Sequence, residues 1–292
     1  SDYVIMKIAV IGDLIMDIKG FYREEIRAGK NILLKNVKKS PGGVAGNTAY
    51  YLKMLKDQVF VFGSVGKDPW GDYILEALKN IFVNVDKVKR VNAIPTGFLI
   101  VVLDADSERT MIGSRGANEK LEVSQDELLS LHPDWIHLSG YSILNRNGKR
   151  ILYSVQQAAK KLGINYSVDL EGIETRDLDF SIAQPIIFCN EGFCTDKNVK
   201  NSKIAIIKAG SKGCYRVYNG EVIQHSAPKV SVEDATAAGD AFNAAFIHAY
   251  KKSEDVDFAC EFANKIAAKK VTKKGNWVKM PYNKFLMELN RH

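Results

Sequence analysis

Val232-Glu-Asp-Ala-Thr-Ala-Ala-Gly-Asp-Ala-Phe-Asn243 is a run of small residues bracketed by two aspartates, Asp234 and Asp240. Aromatic side chains then recur every four residues as far as Tyr250. At that spacing, apolar side chains share one face of a helix. The sequence therefore predicts a loop that leads into a helix beginning near Ala238.

The start of this helix predicts a binding site for an anion. The first amides of a helix have no acceptor inside it and carry the positive end of the helix dipole. Small side chains at Ala237, Ala238 and Gly239 let a phosphate approach those amides closely. Asp240 is then placed to take a proton from an attacking hydroxyl, and Asp234 to orient water around a magnesium ion. The segment alone also fits a structural helix start, with acidic residues favoured by the dipole.

A second run of small residues, Ser40-Pro-Gly-Gly-Val-Ala-Gly-Asn-Thr-Ala49, also opens a helical pattern. Gly42 and Gly43 permit backbone conformations or ligand approaches that other residues do not. Asn47 offers a donor and an acceptor, which suits sugar hydroxyls. A tight turn with packed glycines is the alternative interpretation. The Walker-A pattern, Gly-x-x-x-x-Gly-Lys-Ser/Thr, does not occur in the chain.

Val/Ile-rich runs alternate with helical patterns along the chain. Continuous apolar strands separated by helices are typical of an α/β protein with a doubly wound, mostly parallel sheet and helices on both faces. In such sheets, ligands bind beyond the carboxyl ends of the strands. The predicted strands lie within 6–13, 58–66, 97–104, 134–140, 163–170, 185–190 and 203–210. Helices are predicted at 46–55, 71–80 and 149–162.

Two segments, approximately 18–38 and 95–115, do not fit this alternation. We expect them to form short antiparallel strands, a small β-sheet lid over the site. No Pro/Gly-rich linker long enough to separate domains interrupts the chain. We therefore predict a single domain covering 1–292, with the lid inserted in it.

Charge and composition limit the partners. The 292 residues carry a net charge of +7, but lysines are spread along the chain, and a protein that binds anionic phosphates needs no further partner. We therefore expect no nucleic-acid partner. No apolar run is long enough for a membrane span, so we expect no membrane partner.

The N-terminus and the cysteines both point to the cytoplasm. The first 13 residues lack a basic flank and a small-residue cleavage site, so we expect no secretory signal. The four cysteines, Cys189, Cys194, Cys214 and Cys260, do not have the spacing of a zinc site. We therefore expect reduced, mostly buried thiols in a cytoplasmic protein.

These motifs together resemble the ribokinase-like, or phosphofructokinase B, family of carbohydrate and nucleoside kinases. The family's C-terminal signature, Asp-Thr-x-Gly-Ala-Gly-Asp, matches the stretch from Asp234 to Asp240. Its N-terminal signature, Gly-Gly with Asn four residues after the second Gly, matches the run from Gly42 to Asn47. The first strand of the family ends in a Gly with an Asp five residues on, here Gly12 and Asp17. The match follows this order over nearly the whole chain.

The resemblance implies a role for each matching residue. It implies that Asp240 is the general base and that the helix start 238–240 is the anion hole, with Ala237 before it. It implies that substrate is bound by Asp13, Asp17, Gly42, Gly43, Asn47 and Arg115. It implies that ATP is bound by Asn190, Lys208, Gly210, Ser211, Gly213 and Asn264. Mg²⁺ would lie near Asp234 and Glu191, in indirect contact, and two copies would pair through the lid as a homodimer.

Three departures keep a second function open. Ala237 replaces the first Gly of the cradle, Ala235 replaces the usual Thr, and Phe193 replaces the Glu of an Asn-x-x-Glu element. The expected function is an ATP-dependent kinase that transfers the γ-phosphate to a hydroxyl of a small sugar or nucleoside. The alternative is a catalytically weakened sugar- or nucleoside-binding, regulatory protein of the same fold. The absence of Gly-x-Gly-x-x-Gly after the first strand argues against a dinucleotide-binding enzyme.

The substrate stays open at this point. A sugar acid needs a cation for its carboxylate, which Arg115 or Arg23 could supply. A nucleoside needs an aromatic residue in the lid to stack on the base, for which Phe21, Tyr22 and Phe98 are candidates. Each of these residues also fits an ordinary role on the surface or in lid packing.

Overall fold

The computed structural model describes residues 5–105, 109–171 and 177–290. The strands are β1 (Lys7–Ile11), β2 (Ile15–Phe21), β3 (Lys35–Gly42), β4 (Gln58–Gly66), β5 (Val88–Val91), β6 (Gly97–Leu103), β7 (Arg109–Ser114), β8 (Trp135–Ser139), β9 (Asn165–Glu171), β10 (Ile186–Asn190), β11 (Ile204–Lys208), β12 (Cys214–Tyr218) and β13 (Glu221–His225). The helices are α1 (Val44–Met54), α2 (Pro69–Asn80), α3 (Gln125–Leu131), α4 (Gly140–Ile143), α5 (Gly148–Leu162), α6 (Asp196–Lys200), α7 (Ala238–Ser253), α8 (Val256–Val271) and α9 (Tyr282–Leu289). Short 3₁₀ turns lie at Gly116–Lys120 and Gly210–Lys212.

Nine strands form one large sheet in the order β13-β12-β11-β10-β9-β8-β1-β4-β5. From β11 to β5, each neighbouring pair is parallel. Successive residues of β1 face opposite sides, so Ile8 packs in one core and Ala9 in the other. Helices α1, α7 and α8 cover the first face, and α3 and α5 the second. The predicted α/β class, with helices on both faces of a mostly parallel sheet, is confirmed.

One edge of the large sheet differs from the predicted pattern. β12 pairs antiparallel with β11, and β13 pairs antiparallel with β12. Asn219 and Gly220 join the two edge strands with φ angles of 52° and 77°. An Asn-Gly pair between two strands is the strongest short signal for this hairpin. The alternation of strands and helices does not predict the hairpin, but the Asn-Gly pair in the sequence does.

A separate four-stranded sheet, hereafter the small sheet, has the order β3-β2-β6-β7. Its strands overlap both segments predicted to form a lid. The expectation that all these strands are antiparallel is wrong for one pair, because β2 and β6 run parallel. The reason is topological: β2 and β6 lie far apart in the chain and each is flanked by its own antiparallel neighbour.

The helices that open the predicted site start close to their expected positions. α1 begins at Val44, directly after Gly43, and α7 begins at Ala238. In the part of the chain that the structure describes, every helix is too short or too polar to span a bilayer.

The cysteines differ in part from expectation. Cys214 and Cys260 are free and buried, as predicted. Cys189 and Cys194 are joined as a disulfide, with Cα atoms 5.8 Å apart, so the expectation of reduced thiols is wrong for this pair. The turn after β10 folds back on the strand and brings Cys194 against Cys189.

Candidate active site

Two segments almost 200 residues apart meet at the carboxyl ends of the central strands. Asp240 lies in the first turn of α7 and is only 9% exposed. Asn47, in the first turns of α1, donates a hydrogen bond from Nδ2 to Asp240 Oδ2 at 3.0 Å. The two small-residue motifs each supplied one member of this pair, although no local pattern in the sequence predicts that the two side chains meet.

Trp277 orients this pair. Its indole Nε1 donates to Asn47 Oδ1 at 3.1 Å, and its ring stacks on Tyr50 with centroids 5.1 Å apart. Because the indole can only donate, the oxygen of the Asn47 amide faces Trp277 and the NH₂ faces Asp240. Trp277 was not among the predicted site residues.

The charge of Asp240 depends on its neighbours. Burial raises the pKa of Asp240 to about 7, and the negative charges of Asp169 and Asp17 raise it as well, whereas the hydrogen bond from Asn47 and the charge of Lys208 lower it. A carboxylate with a pKa near neutrality is well suited to accept a proton from an alcohol.

The loop before α7 has a shape that matches an anion cradle. Ala237 adopts the left-handed conformation, with φ of 62° and ψ of 10°. The amide of Ala238 donates to the carbonyl of Ala235 at 3.2 Å, so this amide points back into the loop. The helix start leaves the amides of Gly239 and Asp240 without acceptors inside the helix. Of the three amides at 238–240, the helix start therefore leaves those of Gly239 and Asp240 able to donate to an anion.

A partly buried cation lies next to this helix start. Lys208, at the end of β11, donates to Asp169 Oδ2 at 2.8 Å and to Asn243 Oδ1 at 3.1 Å, and Asn243 also donates to Asp169. A Cβ added at Gly239 would lie 3.3 Å from Lys208 Nζ. The glycine therefore leaves the ammonium open toward the cradle. Asp169 and Asn243 were not predicted from the sequence.

Glycines shape the opposite wall. Gly43 precedes α1 with φ of 84°, and a Cβ there would collide with the carbonyl of Asp13. A Cβ at Gly42 would collide with the carboxylate of Asp17. Asp17 accepts a hydrogen bond from Asn276 Nδ2 at 2.6 Å, and burial raises its pKa. Both glycines are needed for close packing around the two aspartates.

Arg115 is not free to bind an anionic substrate. Its guanidinium makes two hydrogen bonds to Asp13, from Nε to Oδ2 at 2.9 Å and from Nη2 to Oδ1 at 2.7 Å. Nη1 donates to Asn145 Oδ1 at 2.5 Å. The sequence supplied both Asp13 and Arg115 as separate site residues, and the structure pairs them.

Glu171, at the end of β9, adds a carboxyl group that was not predicted from the sequence. It has a φ of 52°, and its Oε1 is buried without a hydrogen-bond partner among the described residues. Burial raises its pKa well above the ordinary value, and the charges of Asp169 and Asp240 raise it further. Burial raises the pKa of Tyr141 to about 12, and the charge of Glu171 raises it further. The surroundings of Asp240 are therefore rich in carboxyl groups.

The predicted nucleotide residues follow β10 and β11. Asn190 ends β10 and is exposed, and the adjacent Glu191 forms an exposed ion pair with Lys212 at 3.4 Å. Gly210, Ser211 and Lys212 form a 3₁₀ turn directly after Lys208 and Ala209. These residues lie along one rim of the site, adjoining the partly buried Lys208.

The other side of this rim is built on Asn264. Its Nδ2 donates to the carbonyl of His225 at 2.9 Å, and a Cβ at Gly213 would collide with the same carbonyl. Asn264 therefore fixes the chain that follows β13. This chain borders a cavity of about 510 Å³, lined by Gln224, His225, Ser226, Ala227, Pro228, Glu261 and Lys265.

Asp234 has a different environment from the one expected of a metal-site residue. Its Oδ1 accepts from the amide of Thr236 and its Oδ2 from the amide of Gly275, both at 2.9 Å. Lys19 and Arg109 of the small sheet approach it at 3.3 and 3.6 Å. Burial opposes the charge of Asp234, but these hydrogen bonds and Lys19 hold its pKa below the ordinary value. Among the described residues, no three His, Cys, Asp or Glu side chains are arranged to hold a metal ion.

Comparison with known proteins identifies the family of the chain. The model of the pfkB family of carbohydrate kinases matches residues 6–190 and 195–281. The chain is 29% identical over 310 residues to a ribokinase from Arabidopsis thaliana, covering 97% of this chain and 80% of that protein. It is 24% identical to a deoxyribokinase from Salmonella typhi, covering 96% and 99%.

A solved structure shows the same fold. The structure of the Arabidopsis thaliana ribokinase complexed with ribose and ATP superimposes with a TM-score of 0.84 at 27% identity, covering 99% of this chain and 100% of the other. The resemblance drawn from the sequence motifs and the expected ribokinase-like fold are both confirmed. The chain belongs to the pfkB family of carbohydrate kinases, enzymes that transfer a phosphate to a hydroxyl group.

Proposed function

We propose that the protein is an ATP-dependent kinase that phosphorylates a hydroxyl of a small, neutral sugar, with Asp240 as the general base. The observation that carries this proposal is the position of Asp240: it is buried in the first turn of α7, bonded to Asn47, and next to the amides of the anion cradle. The Arabidopsis ribokinase, whose structure contains ribose and ATP, supports both substrates.

The geometry gives each residue a chemical task. Asp240 takes the proton of the sugar hydroxyl, and the hydroxyl oxygen attacks the γ-phosphate in line as the bond from the γ-phosphorus to the bridging oxygen breaks and ADP leaves. The amides of Gly239 and Asp240 receive the negative charge that develops on the transferred group, and the ammonium of Lys208 lies just below them. Charge stabilisation and positioning supply most of the catalysis in phosphoryl transfer.

The nucleotide belongs on the rim that adjoins Lys208. Asn190, the turn Gly210–Lys212 and Gly213 lie next to Lys208, and Asn264 fixes the chain beside the adjacent cavity. We therefore place the phosphates of ATP near Lys208 and the base near Asn264.

Magnesium would arrive with ATP, because it is usually held by one or two carboxylates together with substrate phosphates. Glu191, exposed next to Asn190, offers one such carboxylate. The carboxylate of Asp234 fits poorly, because amides and cations already occupy its oxygens. Bound Mg²⁺ would neutralise charge on the phosphates.

The charges around Asp240 favour a neutral substrate. The guanidinium of Arg115 is already paired with Asp13, while Asp17 and Glu171 add further carboxyl groups. Two cations were predicted to bind the carboxylate of a sugar acid: Arg115, which is paired with Asp13, and Arg23, which is exposed in the connection between β2 and β3. A sugar acid would therefore meet these carboxyl groups without a free cation from this pair. Carboxyl groups instead accept hydrogen bonds from hydroxyls.

The aromatic candidates give less support to a nucleoside. Phe98 packs edge-on against Trp70, with ring centroids 5.7 Å apart, and Tyr22 contacts Glu24 through its hydroxyl. Phe21 is exposed at the end of β2. A sugar without a base therefore fits the described residues better.

The small sheet, together with the chain that leads into β3, is the proposed surface for a homodimer. It exposes apolar side chains that a second copy would cover, and β7 lies at one edge of the sheet. The exposed residues are Leu33, Val37, Met111 and Ile112. Light scattering coupled to gel filtration tests this: the wild type should have the mass of a dimer and Ile112→Lys that of a monomer. A monomeric wild type would contradict it.

Catalytic loss was the alternative raised by Ala237 and Phe193. Ala237 nevertheless reaches a φ of 62°, the backbone conformation that glycine would favour. The site therefore retains its cradle and base, and we place the kinase first. Saturable sugar binding without turnover would favour the alternative.

The test is a phosphorylation assay with ATP and Mg²⁺ across neutral sugars, sugar acids and nucleosides. We expect turnover of a neutral sugar and, in Asp240→Asn, a fall in kcat of about 10² to 10⁴-fold with sugar binding retained. Asp126→Asn is the matched control, because Asp126 is an exposed aspartate in the first turn of α3. Near-normal turnover in Asp240→Asn would exclude it as the base.

A further inference from the structure

Lys270 is a buried cation that the proposed chemistry does not use. It lies in the last turn of α8, and its side chain is fully buried. Its Nζ donates to the carbonyl of Asp234 at 2.9 Å and to the carbonyl of Lys273 at 3.4 Å. Burying an ammonium is costly unless it is paired or hydrogen-bonded. Burial lowers the pKa of Lys270 to about 8, so it stays largely protonated at neutral pH.

The carbonyl held by Lys270 belongs to the loop that enters α7. The amides of Glu233 and Asp234 donate to the carbonyl of Val271 at 2.7 and 3.1 Å. The amide of Gly275 donates to the Asp234 carboxylate at 2.9 Å. The beginning of the loop is thus fastened to the end of α8, and Lys270 supplies the charged contact.

The loop needs such a fastening because its end is strained. Ala237, three residues after Asp234, has a φ of 62°. A non-glycine residue in this region is strained and persists only where its surroundings fix it. The amides of Gly239 and Asp240 follow directly, and their direction depends on the loop.

We propose that Lys270 is a positioning residue for phosphoryl transfer: its ammonium holds the Asp234 carbonyl and thereby aims the amides of Gly239 and Asp240 at the transferred phosphate. The inference rests on the kinase function proposed above. Lys270 acts through the loop, so it affects the chemical step rather than sugar binding.

Lys270→Met tests the charge at nearly constant side-chain length. We expect kcat to fall by about 10- to 100-fold, since loss of one oxyanion donor costs about 10² to 10³ in kcat. The KM for the sugar should change little, because Asp17 and Asn47 are untouched. Lys269→Met, which removes an exposed lysine from the same turn, is the control and should behave as the wild type.

Chemical rescue separates positioning from general stability. Lys270→Ala leaves room for a small cation, so added ammonium or methylammonium should restore a large part of kcat, and tetramethylammonium, which cannot donate, should not. Thermal melting is recorded for each variant, and rates are measured below the melting range. A folded Lys270→Met with wild-type kcat, or a folded Lys270→Ala that ammonium does not rescue, overturns the proposal.

A failure of the kinase proposal gives a different result. If the wild type transfers no phosphate to any sugar, the proposed function fails. The role of Lys270 is then decided by hydrogen exchange of the peptide spanning 233–241. Exchange should be faster in Lys270→Ala and slow again with ammonium, whereas unchanged exchange overturns the inference.

Discussion

The two helix starts at the site, those of α1 and α7, consist of similar small residues but make different contacts. At α1, Gly43 packs so tightly that a Cβ there would meet the Asp13 carbonyl, and the amide of Ala45 donates to that carbonyl at 3.1 Å. At α7, Gly239 lies open toward the ammonium of Lys208. The first helix start therefore presents a side chain, Asn47, and the second presents amides. A run of small residues allows another group to approach the backbone closely. The residues around the run determine whether that group belongs to the protein or to a ligand.

Among the variants that test this comparison, Gly43→Ala should have the largest effect, a loss of stability. The added Cβ collides with the Asp13 backbone and also requires a positive φ, so we expect a loss of about 2 to 4 kcal/mol in the free energy of unfolding. Urea unfolding measures this change. Gly29→Ala is the control, since Gly29 also has a positive φ but nothing lies near its Cβ position. Equal losses in the two variants would show that strain alone, without packing, explains Gly43.

Asn47→Ala removes the side chain that α1 presents. It leaves Asp240 and the Trp277 indole without their partner, so we expect a fall in kcat of about tenfold or more. Steady-state kinetics would measure it. Thr48→Ala, at the neighbouring buried position, leaves the contact with Asp240 intact and serves as the control.

The pH dependence of kcat/KM tests the same contact, the hydrogen bond from Asn47 to Asp240. Because burial raises the pKa of Asp240 to about 7 and the base must be deprotonated, kcat/KM should rise as the pH increases through about 7. The hydrogen bond from Asn47 stabilises the charged carboxylate and lowers this pKa. In Asn47→Ala the acid limb should therefore move to higher pH, and a shift to lower pH would contradict the assigned contact.

Ala237→Gly should have the smallest effect. Glycine relieves the left-handed strain but adds freedom to the unfolded chain, so the free energy of unfolding should change by no more than about 1 kcal/mol. The kcat should stay close to that of the wild type, as measured in the same assay. A large gain in kcat would show that alanine distorts the cradle.

The sequence predicted those parts of the site that depend on local pattern. The alternation of apolar runs determined the α/β class, and the small-residue runs located α1, α7, Asp240 and Asn47. Contacts made across the chain were not predicted: Asn276 meets Asp17 from 259 positions away. Arg115 was expected at the site, but its pairing with Asp13 depends on a side-chain geometry that no spacing encodes. Glu171 and Lys270 were missed because a buried charge has no pattern in a single sequence.

The end of α8 and the segment that follows it, residues 270–277, connect both halves of the site. Gly275 and Lys270 hold the phosphate loop, Asn276 holds Asp17, and Trp277 holds Asn47. A displacement of the backbone of this segment, unlike the loss of the Lys270 side chain alone, should therefore alter acceptor recognition and phosphate handling together. In a chimera between members of the family, sugar preference cannot be transplanted with the small sheet and α1 alone. Residues 270–277 must be exchanged together with them.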